Sequence, residues 1–251
     1  MVMSEFLQKD EWLSDVLERQ TFKLTVKEEL LAVWQGWKSE MRLSQWQVSL
    51  PAYSFVYTKI PALAVHTAKI LQELGFFLVD TQVSFEKTIS AQNLSAPASV
   101  EVRLAQPNDE QGACSLAASA FRYSRFHLDP LIPRQLADRV KAEWVTNYFR
   151  GKRGDALVVA LYEKKVVGFL QLLFNEINKE VVIDLIAVDE SLRGKGIAAA
   201  MIYYAEHSFS SYQQMVVGTQ IANTPSVRLY EKLGFRLRSA HYVYHYHHQL
   251  P

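Results

Sequence analysis

Leu185-Ile186-Ala187-Val188-Asp189-Glu190-Ser191-Leu192-Arg193-Gly194-Lys195-Gly196-Ile197-Ala198 decides how this chain is read. Its apolar half reads as a buried strand, its glycine-containing centre as a turn, and its end as the start of a helix. The first N–H groups of a helix lack partners within it, and together with the helix dipole they attract anions. Glycine at 194 and 196 keeps side chains away from the line along which a pyrophosphate approaches the backbone. Arg193, Gly194, Lys195, Gly196, Ile197 and Ala198 are therefore candidate phosphate-binding residues, with Arg193 and Lys195 adding positive charge. The same pattern also fits a plain strand-to-helix turn with two solvated cations.

Working outward, Val181 to Val188 is apolar except for Asp184, as expected of a central strand covered on both faces. Before it, Ala156–Leu161 and Val166–Phe174 read as strands joined by Glu163-Lys164-Lys165, a hairpin by composition. Val100 to Ala105 alternates as a strand, and Arg134 to Phe149 has helical periodicity. Gly196 to Phe209 reads as a helix, Met215 to Thr219 as a strand, Ser226 to Leu233 as a helix, and Phe235 to His248 as two further strand segments. This order predicts a mixed α/β domain. Ser90 to Ser99 is small, polar and Pro-containing, and reads as a linker between an N-terminal α/β domain (1–95) and a larger domain (99–251). Leu71 to Val79 echoes Tyr230 to Arg238, each a helix ended by Gly and followed by a strand. The N-terminal part reads as a partial, degenerate and non-catalytic copy of the C-terminal fold, with Leu71 where the later copy has Tyr230. Chance is the competing reading, because such junctions are common.

Downstream of the first motif, Asn223-Thr224-Pro225-Ser226-Val227-Arg228-Leu229-Tyr230-Glu231-Lys232-Leu233-Gly234-Phe235 fits Asn-x-x-Ala/Ser-x-x-Leu-Tyr-x-x-x-Gly-Phe. Arg193 to Ala198 fits Arg/Gln-x-x-Gly-x-Gly/Ala. The two, in this order and spacing, resemble the GNAT acetyltransferase superfamily. Glu190 stands where that family often has proline, and Ser226 where alanine is common. The resemblance implies acetyl-CoA as co-substrate, no metal, and a sheet whose fourth and fifth strands part. The pantetheine arm is then expected along the backbone of Ile186, Ala187 and Val188, where an N–H can steady the oxyanion. It also implies that Tyr230 protonates the departing thiolate as general acid. Asn223 is expected either to bond the pantetheine arm or to cap the helix. Asp184, the charge within the apolar strand, is a candidate general base or a paired structural aspartate. Glu176 and Glu180 are weaker candidates, and a water relay needs no dedicated residue.

The segment Ala118 to Pro130 sits where the acceptor is expected. Its Arg122, Arg125 and His127, mixed with aromatics, suit an anionic ligand with a flat ring. Ala117 to Gly151 and Gly218 to Thr224 are similar to the branch of the family that acetylates dTDP-linked amino sugars. That likeness implies a small-molecule amine acceptor. An amino acid, a small amine, a protein N-terminus, or a non-catalytic acyl-CoA sensor are the alternatives. The 251 residues carry a net charge of +1, which argues against a dedicated nucleic-acid or membrane-surface binder. The single Cys114 excludes an intrachain disulfide and reads as a small helical packing residue. Met1 to Trp12 lacks a signal-peptide pattern, so a cytoplasmic protein is expected; a homodimer is among the assemblies the chain allows. Tyr242 to His248 alternates, with His245 and His247 on one face. Two such histidines can ligate a metal, but no acidic or thiol neighbour in sequence supports this. A terminal strand with an exposed polar face is expected instead.

Overall fold

The computed structural model describes residues 5–36, 46–47, 50–90 and 99–248. The first part contains β1 (Leu7–Lys9), α1 (Glu11–Leu17), β2 (Thr21–Leu24), α2 (Glu28–Gly36), β3 (Phe55–Pro61), α3 (Val65–Glu73) and β4 (Phe77–Thr88). The second contains β5 (Val100–Leu104), α4 (Glu110–Ala120), α5 (Arg134–Phe149), β6 (Ala156–Tyr162), β7 (Lys165–Asn175) and β8 (Glu180–Val188). It continues through α6 (Ile197–Ser208), β9 (Gln214–Gln220), α7 (Thr224–Lys232) and β10 (Arg236–His247). The β6–β7 turn is tighter than expected. Glu163 and Lys164 both adopt positive φ (49° and 63°), so two residues reverse the chain and Lys165 already belongs to β7.

The ten strands among the described residues form one sheet, in the order β1-β2-β3-β10-β4-β9-β8-β7-β6-β5. On one face, α6 and α7 cover Val158, Leu170, Ile183 and Val217 with Met201, Ile202 and Tyr230. On the other, α4 and α5 cover Leu157, Val159, Phe169 and Leu185 with Ala117 and Val145. Both faces of the central strands are thus closed by apolar stripes spaced for helices. Among the described residues, no helix is long and apolar enough to cross a membrane.

The two parts of the chain are interleaved. In the second part, β8 runs parallel to β9, and β9-α7-β10 follows; in the first, β2 runs parallel to β3, and β3-α3-β4 follows. Both helices end the same way. Gly75 and Gly234 each sit at φ 84°, and the next amide bonds back to the helix, Phe76 N to Leu71 O at 2.9 Å and Phe235 N to Tyr230 O at 3.0 Å. The sequence echo is therefore a structural one. Each unit places its last strand in the other half: β4 pairs with β9, and β10 lies between β3 and β4. A buried ion pair, Lys87 Nζ to Glu206 Oε1 at 2.8 Å, also links β4 to α6. The expected boundary at 90–99 falls largely on residues outside those described.

Two expectations for the C-terminus are corrected. Phe235 to His248 forms one long strand, bent by register shifts against β4, rather than two. His245 and His247 are buried, their side chains 0% and 1% exposed. The reason is that β10 is an interior strand, flanked on both sides by strands from the first part of the chain.

Candidate active site

The site begins with a strand bulge. Gln171 pairs with Leu185 and Leu172 with Ile183, so Asp184 is the extra residue on β8. A bulge bends its strand and swaps the faces beyond it. Val181 and Ile183 pack toward α6, whereas Leu185 and Ala187 pack toward α4 and α5. Pairing with β9 stops at the same place, running only from Glu180–Gln214 to Ile183–Val217. Beyond it, Ile186, Ala187 and Val188 keep β7 on one edge, through Leu170, Phe169 and Gly168, and face the parting of the strands on the other. An extended, amide-bearing ligand can complete such an edge as an added strand would.

The turn after β8 leaves a row of backbone amides free of partners among the described residues. Asp189 caps a short helical turn at 190–192, accepting from the Ser191 amide at 2.9 Å and its hydroxyl at 2.5 Å. Gly194 and Gly196 follow at φ 77° and 82°, and a methyl group built on either meets nothing within 4 Å. Their backbone conformation, with open space beside it, is what calls for glycine. Ala200 is the first residue to bond back, to Gly196 O at 3.0 Å. The amides of Ile197, Ala198 and Ala199 therefore have no acceptor within the helix. This donor set fits a pyrophosphate. Lys195 is exposed and unpaired among the described residues. Arg193 instead reaches back, its Nε to Val188 O at 3.2 Å and Nη2 to Ala120 O at 3.1 Å, which ties the turn to the end of α4.

Tyr230 lies on α7 with 2% of its surface exposed, between Phe85 of β4 and Phe235 at ring distances of 6.1 and 5.5 Å. Ile186 and Val188 pack against the same cluster. No other described residue hydrogen-bonds its hydroxyl, and burial raises its pKa well above the ordinary phenol value. Asn223 caps α7, accepting from Ser226 N at 3.4 Å and donating to Thr219 Oγ1 at 3.3 Å.

Asp184 is heavily committed. It accepts from Arg153 Nε and Nη2 at 2.8 and 2.7 Å, from Trp144 Nε1 at 2.9 Å, and from Gln171 Nε2 at 3.3 Å. These donors engage both oxygens, which favours the paired aspartate of the two readings offered by sequence. Glu176 is exposed and bound to Tyr212 and Lys179, and Glu180 is paired with Arg238 at 2.8 Å.

The three expected acceptor-side residues part company. Arg122 is exposed and paired with Glu190 at 2.7 Å, beside the glycine turn. His127 is held by Ser124 Oγ at 2.6 Å and Asp138 Oδ1 at 2.9 Å, and burial lowers its pKa. Arg125 is half-buried, its guanidinium 3.9 Å from the Tyr57 ring centroid and 4.3 Å from that of Phe126.

Arg125 also opens a chain of bonds invisible in sequence. Its Nη1 donates to His245 Nε2 at 3.3 Å, and Arg19 Nη1 donates to His247 Nδ1 at 2.8 Å. The opposite nitrogens, His245 Nδ1 and His247 Nε2, must then carry the protons they donate to Asp129 Oδ2 at 2.6 and 2.8 Å. Burial pushes His245 down to about 4. Burial raises Asp129, yet the two imidazole bonds outweigh it and hold the carboxyl below its ordinary range. Asp129, His245 and His247 bring three ligand atoms within 4.8 Å, but the direction of every bond makes the trio a closed hydrogen-bond network. It pins the loop between α4 and α5 onto β10.

Residues 122–235 match the family model described as "Acetyltransferase (GNAT) family". Over 194 residues the chain is 28% identical to the spore coat polysaccharide biosynthesis protein SpsD of Bacillus subtilis (strain 168), covering 76% of this chain and 66% of that protein. It is 28% identical to dTDP-fucosamine acetyltransferase of an Escherichia coli O6:H1 strain, covering 77% of this chain and 82% of the relative. It is 31% identical over 114 residues to the N-acetylaspartate synthetase of Xenopus tropicalis, covering 44% of this chain and 39% of the relative. The chain thus spans only part of SpsD and well under half of the synthetase. Among solved structures, a GCN5-related N-acetyltransferase from Sphaerobacter thermophilus aligns with a TM-score of 0.62 at 15% identity, covering 97% of this chain and 76% of its own. A tandem GNAT protein from the clavulanic acid biosynthesis pathway aligns at 0.59 and 12%, covering 92% and 76%. These two carry the fold alone.

Proposed function

From a chain that carries a GNAT acetyltransferase domain, we propose a cytoplasmic N-acetyltransferase that moves acetyl from acetyl-CoA to a primary amine of a small molecule, a nucleotide-linked amino sugar foremost. The observation that carries this is the strand parting at Asp184, with the glycine turn at one end and Tyr230 beside it. The amides after Gly196 bind the pyrophosphate, with Lys195 nearby, and the edge from Ile186 to Val188 receives the pantetheine arm. A backbone N–H on that edge polarises the thioester carbonyl and steadies the tetrahedral oxyanion. The amine, deprotonated through water, attacks the carbonyl carbon directly. Tyr230 then donates its proton to the leaving sulfur. Its burial keeps the phenol protonated at any physiological pH, while the same dry surroundings make an unprotonated thiolate costly. Asp184 acts in this scheme by orienting Arg153 and Trp144.

Similarity to dTDP-fucosamine acetyltransferase across 82% of that protein supports the sugar acceptor. Similarity to N-acetylaspartate synthetases supports a second reading, an amino acid acceptor. Thiol release from acetyl-CoA, followed with a dTDP-amino sugar, free amino sugars and amino acids, separates the two. Tight acetyl-CoA binding with no release on any amine would instead point to a sensor.

A further inference from the structure

Lys141 lies on the sheet-facing side of α5, 7% exposed, and makes no hydrogen bond or ion pair with any described residue. Its Nζ sits 5.0 Å from the Phe121 ring centroid and 4.6 Å from that of Trp144. Arg153 shares the Trp144 ring at 4.7 Å. Rings of this kind soften the burial of a cation but do not neutralise it. Asp184 is the anion whose field reaches Lys141, and its oxygens are already taken by Arg153, Trp144 and Gln171. Arg125 and Arg153 repel the ammonium. A buried charge without a partner destabilises a fold by several kcal/mol. Burial, with those two like charges, brings Lys141 down to about 7.

We propose that Lys141 anchors an acidic group of the acceptor, a carboxylate or a phosphate, which supplies the ion pair that the fold omits. The anchor faces the side of the sheet where the Asp184 bulge marks the reacting centre, so an acceptor held there by its acid end presents its amine toward the parted strands. The acceptor class is thereby narrowed to amines that also carry an acid: nucleotide-linked amino sugars and amino acids qualify, whereas simple amines do not. This assignment rests on the acetyltransferase reading for the identity of the ligand as acceptor, though not for its binding.

The test uses the full chain and its near-isosteric variant Lys141→Met. Calorimetry with dTDP and with L-aspartate measures binding, and acetyl-CoA binding verifies the fold of the variant. Wild-type protein is expected to bind at least one of the two, and Lys141→Met to bind it at least tenfold more weakly with acetyl-CoA affinity unchanged. Loss confined to dTDP identifies the acid as phosphate, and loss confined to aspartate as carboxylate. Wild-type protein that binds neither, or a variant that binds both as tightly as wild type, overturns the proposal. In turnover, Lys141→Met should raise KM for the acidic acceptor with kcat largely kept; a loss in kcat alone also counts against it. Lys141-dependent binding without any thiol release would overturn the acetyltransferase reading and leave the anchor standing.

Discussion

Tyr230 makes a sharp test because its hydroxyl has no role in the fold. Tyr230→Phe removes an oxygen that hydrogen-bonds to no described residue, so the melting temperature should not fall. As general acid, the same oxygen is expected to be worth about 10²-fold or more in kcat, with the KM for acetyl-CoA changed less than about threefold. Unaltered turnover would remove Tyr230 from the mechanism. Asp80 tests the opposite situation, a buried group that the reaction does not use. Both its oxygens lack a hydrogen bond of ordinary geometry. Burial pushes its pKa up to about 6, offset only in part by the Thr81 backbone and Gln220. The folded protein therefore holds this proton more tightly than the unfolded chain, and stability declines as pH rises from roughly 4 to 6. Asp80→Asn should stabilise by roughly 1–2 kcal/mol at pH 8, and the gain should vanish near pH 4. Thermal unfolding at both values checks this; the same gain at both would refute it.

At the scale of elements, the glycine turn shows what sequence can and cannot convey. Gly194, Gly196 and the helix after them were legible because few residues tolerate left-handed backbone and fewer still occur twice before a helix. The helix-glycine-strand junctions were legible for the same reason. The bulge at Asp184 was not, because an extra residue leaves no mark in an apolar run until its partner strand is known. Nor were Asp129 and Lys141: one meets histidines 116 and 118 residues away, and the other looks like any solvated lysine on a helix. Arg193 was legible as a cation but not as the clamp on Val188 and Ala120. Gly196→Ala isolates the turn. Left-handed backbone at alanine costs about 1–2 kcal/mol, and its methyl group would enter the space left open beside the amides. We expect a KM for acetyl-CoA raised about tenfold, near 1.4 kcal/mol of binding, with kcat retained. A fall in kcat at unchanged KM would disconnect the turn from cofactor binding.

For the molecule as a whole, the exchange of strands matters more than the division at the linker. Residues 99–251 alone would lack β3 and β4, leaving β10 with two open edges and β9 with one. They would also lose Phe85 beside Tyr230, the Lys87–Glu206 pair, and Arg19 from the network around Asp129. Long unpaired edges drive aggregation. The isolated segment should be insoluble or loosely packed, and coexpression with residues 1–90 should restore solubility; a well-dispersed NMR spectrum from 99–251 alone would contradict this. The order of strands has one more effect, during synthesis. The slot between β3 and β4 is filled by β10, which is synthesised after the other strands of the sheet. A nascent chain must hold its early sheet open until β10 has been made, so closure of the sheet depends on contacts distant in sequence. Such topologies fold slowly and depend on protection while incomplete.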